Sequence, residues 1–341
     1  MDPPPDVLQR YPALPWRDVH FLGNRGGFSG AQLWRLATST GDYCLKAWPV
    51  DGATAEHLTW ILHMLRAARQ AGVDFVPQAL ATSAGSSVVV SGGRLWDVST
   101  WLPGAADFHE HPSAARLSAA GAALARLHNA WQNLAPRTGP CPVVQRRLDT
   151  LCRWKELLAT GWRPTIAADD PVRPWAERAW QLLPHAVPEA ERALAAWRHV
   201  PLPLHPCWCD PWHDHVLFYG ERVTGLIDYG AVKEDHAAVD LARLLGSLVG
   251  NDYAAWEVAL TAYHAIRPLT DQERVLIVVL EQAGLINVLV TWLRWLYHDG
   301  RVFEDRRAIA KRLQRMVTRL DNDVEVSLLH RQPGVLAPLK K

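Results

Sequence analysis

No charge of one sign dominates this chain of 341 residues: 36 Lys and Arg stand against 35 Asp and Glu, for a formal net charge of +1. So even a balance gives no electrostatic basis for gripping nucleic acid or an anionic membrane surface. Cysteine is scarce and odd in number, with Cys44, Cys141, Cys152, Cys207 and Cys209 at irregular spacing. That argues against a disulfide framework and points to a reducing, cytoplasmic setting. No uninterrupted apolar run reaches the ~20 residues of a membrane-spanning helix. The opening MDPPPDVLQRYPALPW has neither the basic nor the apolar region of a signal peptide. Internal repeats are absent too. Tryptophan, by contrast, is abundant at 17 residues, and most of it is expected to fill cores, because each indole buries a large apolar area. The length and the hydrophobic share of 49% fit a globular chain with two lobes, each with its own core.

The densest polar chemistry lies between Leu204 and Gly230, in LHPCWCDPWHDHVLFYGERVTGLIDYG. It reads as a polar loop, a short strand (Val216 to Phe218), a Gly220-Glu221-Arg222 turn and a second strand (Val223 to Ile227) ending in Asp228-Tyr229-Gly230. Two apolar runs around a Gly-containing turn form a hairpin. Its outer ends would bring Asp210 and His215 to face Asp228. The result is either a general base with a metal site or a buried polar knot.

The N-terminal pattern is strand (Asp18 to Leu22), glycine loop, strand (Ala31 to Ala37), turn, strand (Tyr43 to Trp48). Gly26, Gly27, Ser29 and Gly30 lie in the loop and Lys46 on the third strand. Glycines let backbone amides approach phosphate oxygens, and a nearby lysine adds a point charge. Taken alone, the glycine loop reads equally as a hairpin turn. A helix over Thr54 to Gly72 has Leu58, Ile61, Leu62, Leu65 and Ala68 on one face. Glu56 is its sole acidic residue, and its place in the first turn is favoured by the helix dipole alone. Strands are expected over 73–77, 87–90 and 94–101, and an amphipathic helix over 113–130. Further helices are expected over 143–160, 174–183, 189–198, 236–250, 253–267, 271–285, 288–297 and 304–320. His128 and Asp240, each on a helix, read as structural.

These stretches resemble the aminoglycoside phosphotransferase and choline kinase family, relatives of the protein kinases. The family's catalytic loop runs roughly H-G-D-x-H-x-x-N, then a hairpin, then I-D-(aromatic)-Gly. Asp210 falls on its catalytic Asp, Asp228 on its metal-binding Asp, and Asp240 on the Asp of its D-L-A element. GGFSGAQLWRL is similar to its glycine loop, and Lys46 to its phosphate-binding Lys. The resemblance further implies that the Trp101-Leu102-Pro103-Gly104 stretch is the inter-lobe hinge, with backbone groups of Thr100 and Leu102 on an adenine edge. There are departures: Trp208 stands for the family's His, Cys209 for its Gly and His215 for its metal-binding Asn.

The implied fold is α+β and protein-kinase-like in two lobes: a small antiparallel-sheet lobe over 1–101 that binds nucleotide, a larger, mainly helical catalytic and substrate lobe over 102–330, and a loose tail over 331–341. The implied activity is transfer of the ATP γ-phosphate to a hydroxyl of a small molecule such as an aminoglycoside, a choline-like alcohol or a sugar, with Mg2+ or Mn2+ as the cation. No nucleic-acid or membrane partner is expected, and the oligomeric state is left open. The rival is a non-catalytic pseudokinase that binds nucleotide or a protein. His215 leaves three possibilities: a ligand to a softer metal, since imidazole suits Mg2+ poorly; a hydrogen-bond partner of Asp210 or Asp228; or a sign of lost ATP chemistry. Cys207-x-Cys209 with His213-x-His215 also offers zinc ligands, but the spacing is crowded for a structural site. A cysteine nucleophile competes with plain buried thiols.

Overall fold

The computed structural model describes residues 2–12, 14–24, 30–303 and 305–330. In chain order the elements are α1 (Pro5–Leu8), β1 (Trp16–Gly23), β2 (Gln32–Thr38), β3 (Asp42–Ala47), α2 (Ala55–Gln70), β4 (Val89–Ser91), β5 (Arg94–Thr100) and α3 (Ala114–Trp131). There follow β6 (Arg137–Pro140), α4 (Pro142–Ala159), α5 (Arg173–Ala195), β7 (Pro201–Cys207), β8 (Val216–Tyr219), β9 (Arg222–Leu226) and β10 (Lys233–Asp235). The last are α6 (Ala238–Leu248), α7 (Tyr253–His264), α8 (Asp271–Tyr297) and α9 (Arg306–His330). The chain divides into two compact units, residues 1–137 with 204–269 and residues 138–203 with 270–341.

In the first unit a five-stranded antiparallel sheet has the order β1-β2-β3-β5-β4. Strand alternation sets its two faces. Trp34 and Leu36 of β2, Leu45 and Ala47 of β3, and Trp96 and Val98 of β5 are buried in one core with Val7 and Tyr11 from the N-terminal segment. The intervening Lys46 and Asp97, paired across β3 and β5, therefore turn to the other face. Helix α2 is capped by Thr54, whose hydroxyl accepts from the His57 amide, and it buries Leu58, Ile61, Leu62, Leu65 and Ala68. Helices α3 and α7 pack closely at Gly121, where a Cβ would stand 2.3 Å from the Ala259 carbonyl oxygen. Only glycine fits there.

The strand expected over 73–77 is absent. That segment turns, and Val73, Phe75 and Val76 are apolar because they are buried rather than because they pair. The Arg69 guanidinium meets the Asp74 and Val76 carbonyls there.

In the second unit the two helices expected over 174–183 and 189–198 are one, α5, with Pro184 and Pro188 inside it. Each proline removes a helix hydrogen bond. The buried face of Leu182, Leu183, Ala186, Val187, Ala190 and Leu194 nevertheless continues across both. The helices expected over 271–285 and 288–297 are likewise one, α8, started by a Thr270/Glu273 capping box. Gly284 leaves room for the Arg147 guanidinium, and the Asn287 amide donates back to the Ala283 carbonyl, so neither residue ends the helix. By length and composition α8 is apolar enough to cross a membrane, although Glu281 and Gln282 interrupt its apolar run. Yet 61% of its most apolar window is buried within the protein, as in a core helix.

Candidate functional site

The 208–215 loop is fastened from below. Strand β7 pairs with β10, setting Cys207 opposite Lys233, and the chain leaves β7 at Trp208. Asp240, in the first turn of α6 and fully buried, accepts from the Trp208 amide at 2.7 Å and the Cys209 amide at 2.6 Å. Its second partner set is a chain of buried groups, His128 Nε2 at 2.9 Å and, beyond the ring, Tyr263 Oη at 2.7 Å from His128 Nδ1. Burial pushes the Asp240 carboxyl up to about 7, while the two amides pull the other way. Cys209 has φ +67, a left-handed conformation that costs a side-chain-bearing residue about 1–2 kcal/mol. Two amide bonds to a single carboxylate hold it there.

Trp208 is fully buried, and its indole N–H donates to the Asp228 carbonyl at 3.0 Å. The ring stacks on Tyr229 with centroids 5.3 Å apart. The indole thus ties the 208–215 loop to the 228–230 loop.

The hairpin comes next. Strands β8 and β9 pair antiparallel from Val216↔Leu226 to Tyr219↔Arg222, and the Ile227 amide donates to the His215 carbonyl at 2.9 Å. Ala105 exchanges two backbone bonds with Phe218. Arg116 on α3 lies over the Phe218 ring at 4.5 Å and donates to the Gly220 carbonyl at 2.9 Å. The hairpin is therefore held at both its strand and its turn.

At the open end four side chains gather. Lys46 Nζ stands 2.9 Å from Asp228 Oδ1, although the two are 182 residues apart in sequence. The Lys46 ammonium also lies over the Trp48 ring at 4.2 Å. His215 Nε2 is 3.7 Å from Asp228 Oδ2, and its Nδ1 is 2.9 Å from the Asp210 carbonyl oxygen. Partial burial would raise the Asp228 carboxyl, but the charge of Lys46, then His215 and the Lys46 hydrogen bond, outweigh it and hold it at about 2. Lys46 responds in the opposite sense: burial lowers it, but the Asp228 carboxylate raises it further, for a net rise. Asp228 itself has φ +59.

Asp210 meets a residue that sequence reading missed. Arg243 Nε and one terminal nitrogen each lie 3.0 Å from Asp210 Oδ1, and the guanidinium stacks 4.3 Å from the Trp212 ring. Arg243 follows Asp240 by three positions, so the two share a face of α6. That spacing was the available signal: a helix whose Asp holds the loop backbone presents its next-turn Arg to the loop side chains.

The remaining candidates are more dispersed. Gly26, Gly27 and Ser29 lie outside the described residues. Gly30 has φ +80 and open space around it. The Thr100 amide donates to the Gln78 carbonyl at 3.0 Å, which leaves only its carbonyl for another partner. Leu102 lies two residues past the end of β5, after Trp101. Glu56 forms no ion pair with Lys46 among the described residues, because Asp228 takes that place. His213 and His215 do not gather with Cys207 and Cys209. The one group of three metal-ligating side chains among the described residues is His128, Cys207 and Asp240, and there the hydrogen bonds of Asp240 and Tyr263 already engage both nitrogens of His128. All five cysteines are free thiols.

The structure thus pairs a lysine on a sheet strand with an Asp at a hairpin's end, and His215 links that Asp to the backbone of Asp210 on an anchored loop. The model of the phosphotransferase enzyme family matches residues 20–276, and the chain belongs to that family. Over 288 residues, 81% of each chain, it is 27% identical to a homoserine kinase of Acidiphilium cryptum. Spectinomycin phosphotransferase APH(9)-Ia, solved with ADP and spectinomycin, superposes with a TM-score of 0.67 at 11% identity, over 93% of this chain and 96% of that one. Amicoumacin kinase hAmiN, solved with AMP-PNP, Ca2+ and amicoumacin, gives 0.62 at 14% identity, over 93% and 96%. The fold is that of the protein-kinase-like phosphotransferases, as the resemblance implied, and the chain is a small-molecule kinase in class.

Proposed function

We propose that this enzyme transfers the γ-phosphate of ATP to a hydroxyl of a small molecule, in the cytoplasm. The observation that carries the reading is the 2.9 Å contact between Lys46 Nζ and Asp228 Oδ1. Phosphoryl transfer needs positioned phosphates, a divalent cation and a carboxylate at the acceptor hydroxyl more than it needs covalent help. Lys46 supplies the fixed positive charge for phosphate oxygens. Asp228, held ionised, and His215 face each other in a way that suits a divalent cation, which would neutralise phosphate charge when bound. Asp210 is the group that orients the acceptor hydroxyl and takes its proton. The hold of Arg243 on Oδ1 alone leaves Oδ2 for that hydroxyl. The glycine loop with Gly26, Gly27, Ser29 and Gly30, and a hinge contact at Thr100 and Leu102, complete the nucleotide reading, with residues 1–101 as the nucleotide lobe and 102–330 as the catalytic and substrate lobe.

Sequence relatives named homoserine kinases make homoserine the first acceptor to try, ahead of aminoglycosides, choline-like alcohols and sugars. The test is phosphate transfer from γ-labelled ATP across that panel, with Asp210→Ala as the control. Transfer to one acceptor, abolished in the variant, supports the reading. Nucleotide binding with no transfer to any hydroxyl, and no slow hydrolysis, would overturn it in favour of a pseudokinase.

A further inference from the structure

His215 is the departure from the family pattern that lies at the cation position, and its geometry goes beyond what its identity alone could settle. The Asp210 carbonyl oxygen can only accept, so His215 Nδ1, 2.9 Å away, carries a proton and donates. In the neutral ring Nε2 then carries a lone pair. That nitrogen faces Asp228 Oδ2 across 3.7 Å. The span is too long for a charge-assisted N–H···O bond, which lies near 2.7–2.9 Å. It is the right length for two ligands of one cation: two bonds of about 2.1 Å span about 3.0 Å at a right angle and about 4.2 Å in line. The opposite oxygen, Oδ1, is held by Lys46, so Oδ2 is turned toward the histidine. A carbonyl fixing one imidazole nitrogen so that the other can ligate is a recurrent outer arrangement of metal-binding histidines.

We propose that His215 Nε2 and Asp228 Oδ2 jointly ligate the divalent cation, and that this nitrogen ligand tunes the enzyme toward Mn2+ over Mg2+. Imidazole suits first-row transition ions, whereas Mg2+ demands oxygen. The inference rests on the kinase reading above, since it concerns the cation of that same site. Trp48, whose ring lies under Lys46, and Trp208, whose ring is 6.3 Å from that of His215, add no competing ligand atom: the Trp48 indole N–H donates to Asp97 and that of Trp208 to the Asp228 carbonyl.

The experiment uses the full chain grown on 15N, loaded with Mn2+ and unlabelled ADP, and read by electron spin-echo modulation. Directly bound 15N can come only from the protein. The result expected is a 15N coupling that disappears in His215→Asn. Calorimetry on the same samples should show the Mn2+:Mg2+ ratio of nucleotide affinities falling about tenfold in that variant. Mn2+ bound with nucleotide but without protein 15N would overturn the inference and leave the kinase reading standing. Failure of any cation to promote ADP or ATP binding would overturn both.

Discussion

Asp240 and Asp228 serve the same pair of loops from opposite sides, and their surroundings drive them in opposite directions. Asp240 is fully buried, receives two loop amides and His128, and has its carboxyl pushed up to about 7 by burial. Asp228 is about half exposed at its side chain and is held at about 2 by Lys46 and His215 despite partial burial. One carboxyl shapes backbone and the other faces solvent as a committed anion. The difference shows that a carboxylate on a catalytic-type loop is not thereby a catalytic one. What its oxygens meet decides: amides and a buried ring in one case, an ammonium and an open imidazole in the other.

The sharpest way to break this comparison is at Asp210, which belongs to the open end. Asp210→Ala is expected to lower turnover roughly 10³-fold with an unchanged melting temperature. Steady-state kinetics beside a thermal melt check it, and a large loss of stability would move Asp210 to the structural group. Asp240→Ala should do the reverse. It leaves two buried amides and His128 without their acceptor, for a loss of roughly 3 kcal/mol of stability, measurable by denaturant titration.

Asp97 sharpens the comparison, because it is buried yet stands near the same lysine. Burial pushes it up to about 6, opposed by the Trp48 indole N–H and the Lys46 charge. With its folded value above the ordinary one, stability is full at low pH and is lost as pH rises through about 6. Asp97→Asn removes that loss while keeping an acceptor for Trp48. The variant should match the parent near pH 4 and be more stable by roughly 3 kcal/mol near pH 8; equal melts at both pH values would contradict the assignment. The smallest effect is expected at Cys209. Cys209→Gly relieves the left-handed strain and should stabilise by about 1 kcal/mol or less, part of the gain being offset by the freer unfolded chain.

Much of this site was legible in order along the chain. Asp210, His215 and Asp228 stood at the ends of a hairpin whose turn chemistry is local, and Lys46 was the one charged residue of an otherwise apolar strand, Tyr43 to Trp48. The reasons for Trp208 and Arg243 were not legible, because each acts through a partner distant in sequence: the Asp228 carbonyl for one, the Asp210 carboxylate for the other. Strand β7 was hidden because Leu204 to Cys207 mixes histidine, proline and cysteine, residues that read as loop until β10 is seen to pair with it. In α5 and α8 the local breakers Pro184, Pro188 and Gly284 were overridden by buried faces that continue past them. The three loop residues Gly26, Gly27 and Ser29 lie outside the described residues, so their part stays with the resemblance.

The central claim is that Lys46 and Asp228 form a nucleotide site completed by a divalent cation. Calorimetric titration of ATP into the parent enzyme and into Asp228→Ala, each with Mg2+, with Mn2+ and with EDTA, tests it most directly. The account predicts binding by the parent that weakens at least tenfold when the cation is chelated, and binding by Asp228→Ala that is weak and indifferent to the cation. Equal, cation-dependent affinities in both proteins would contradict it.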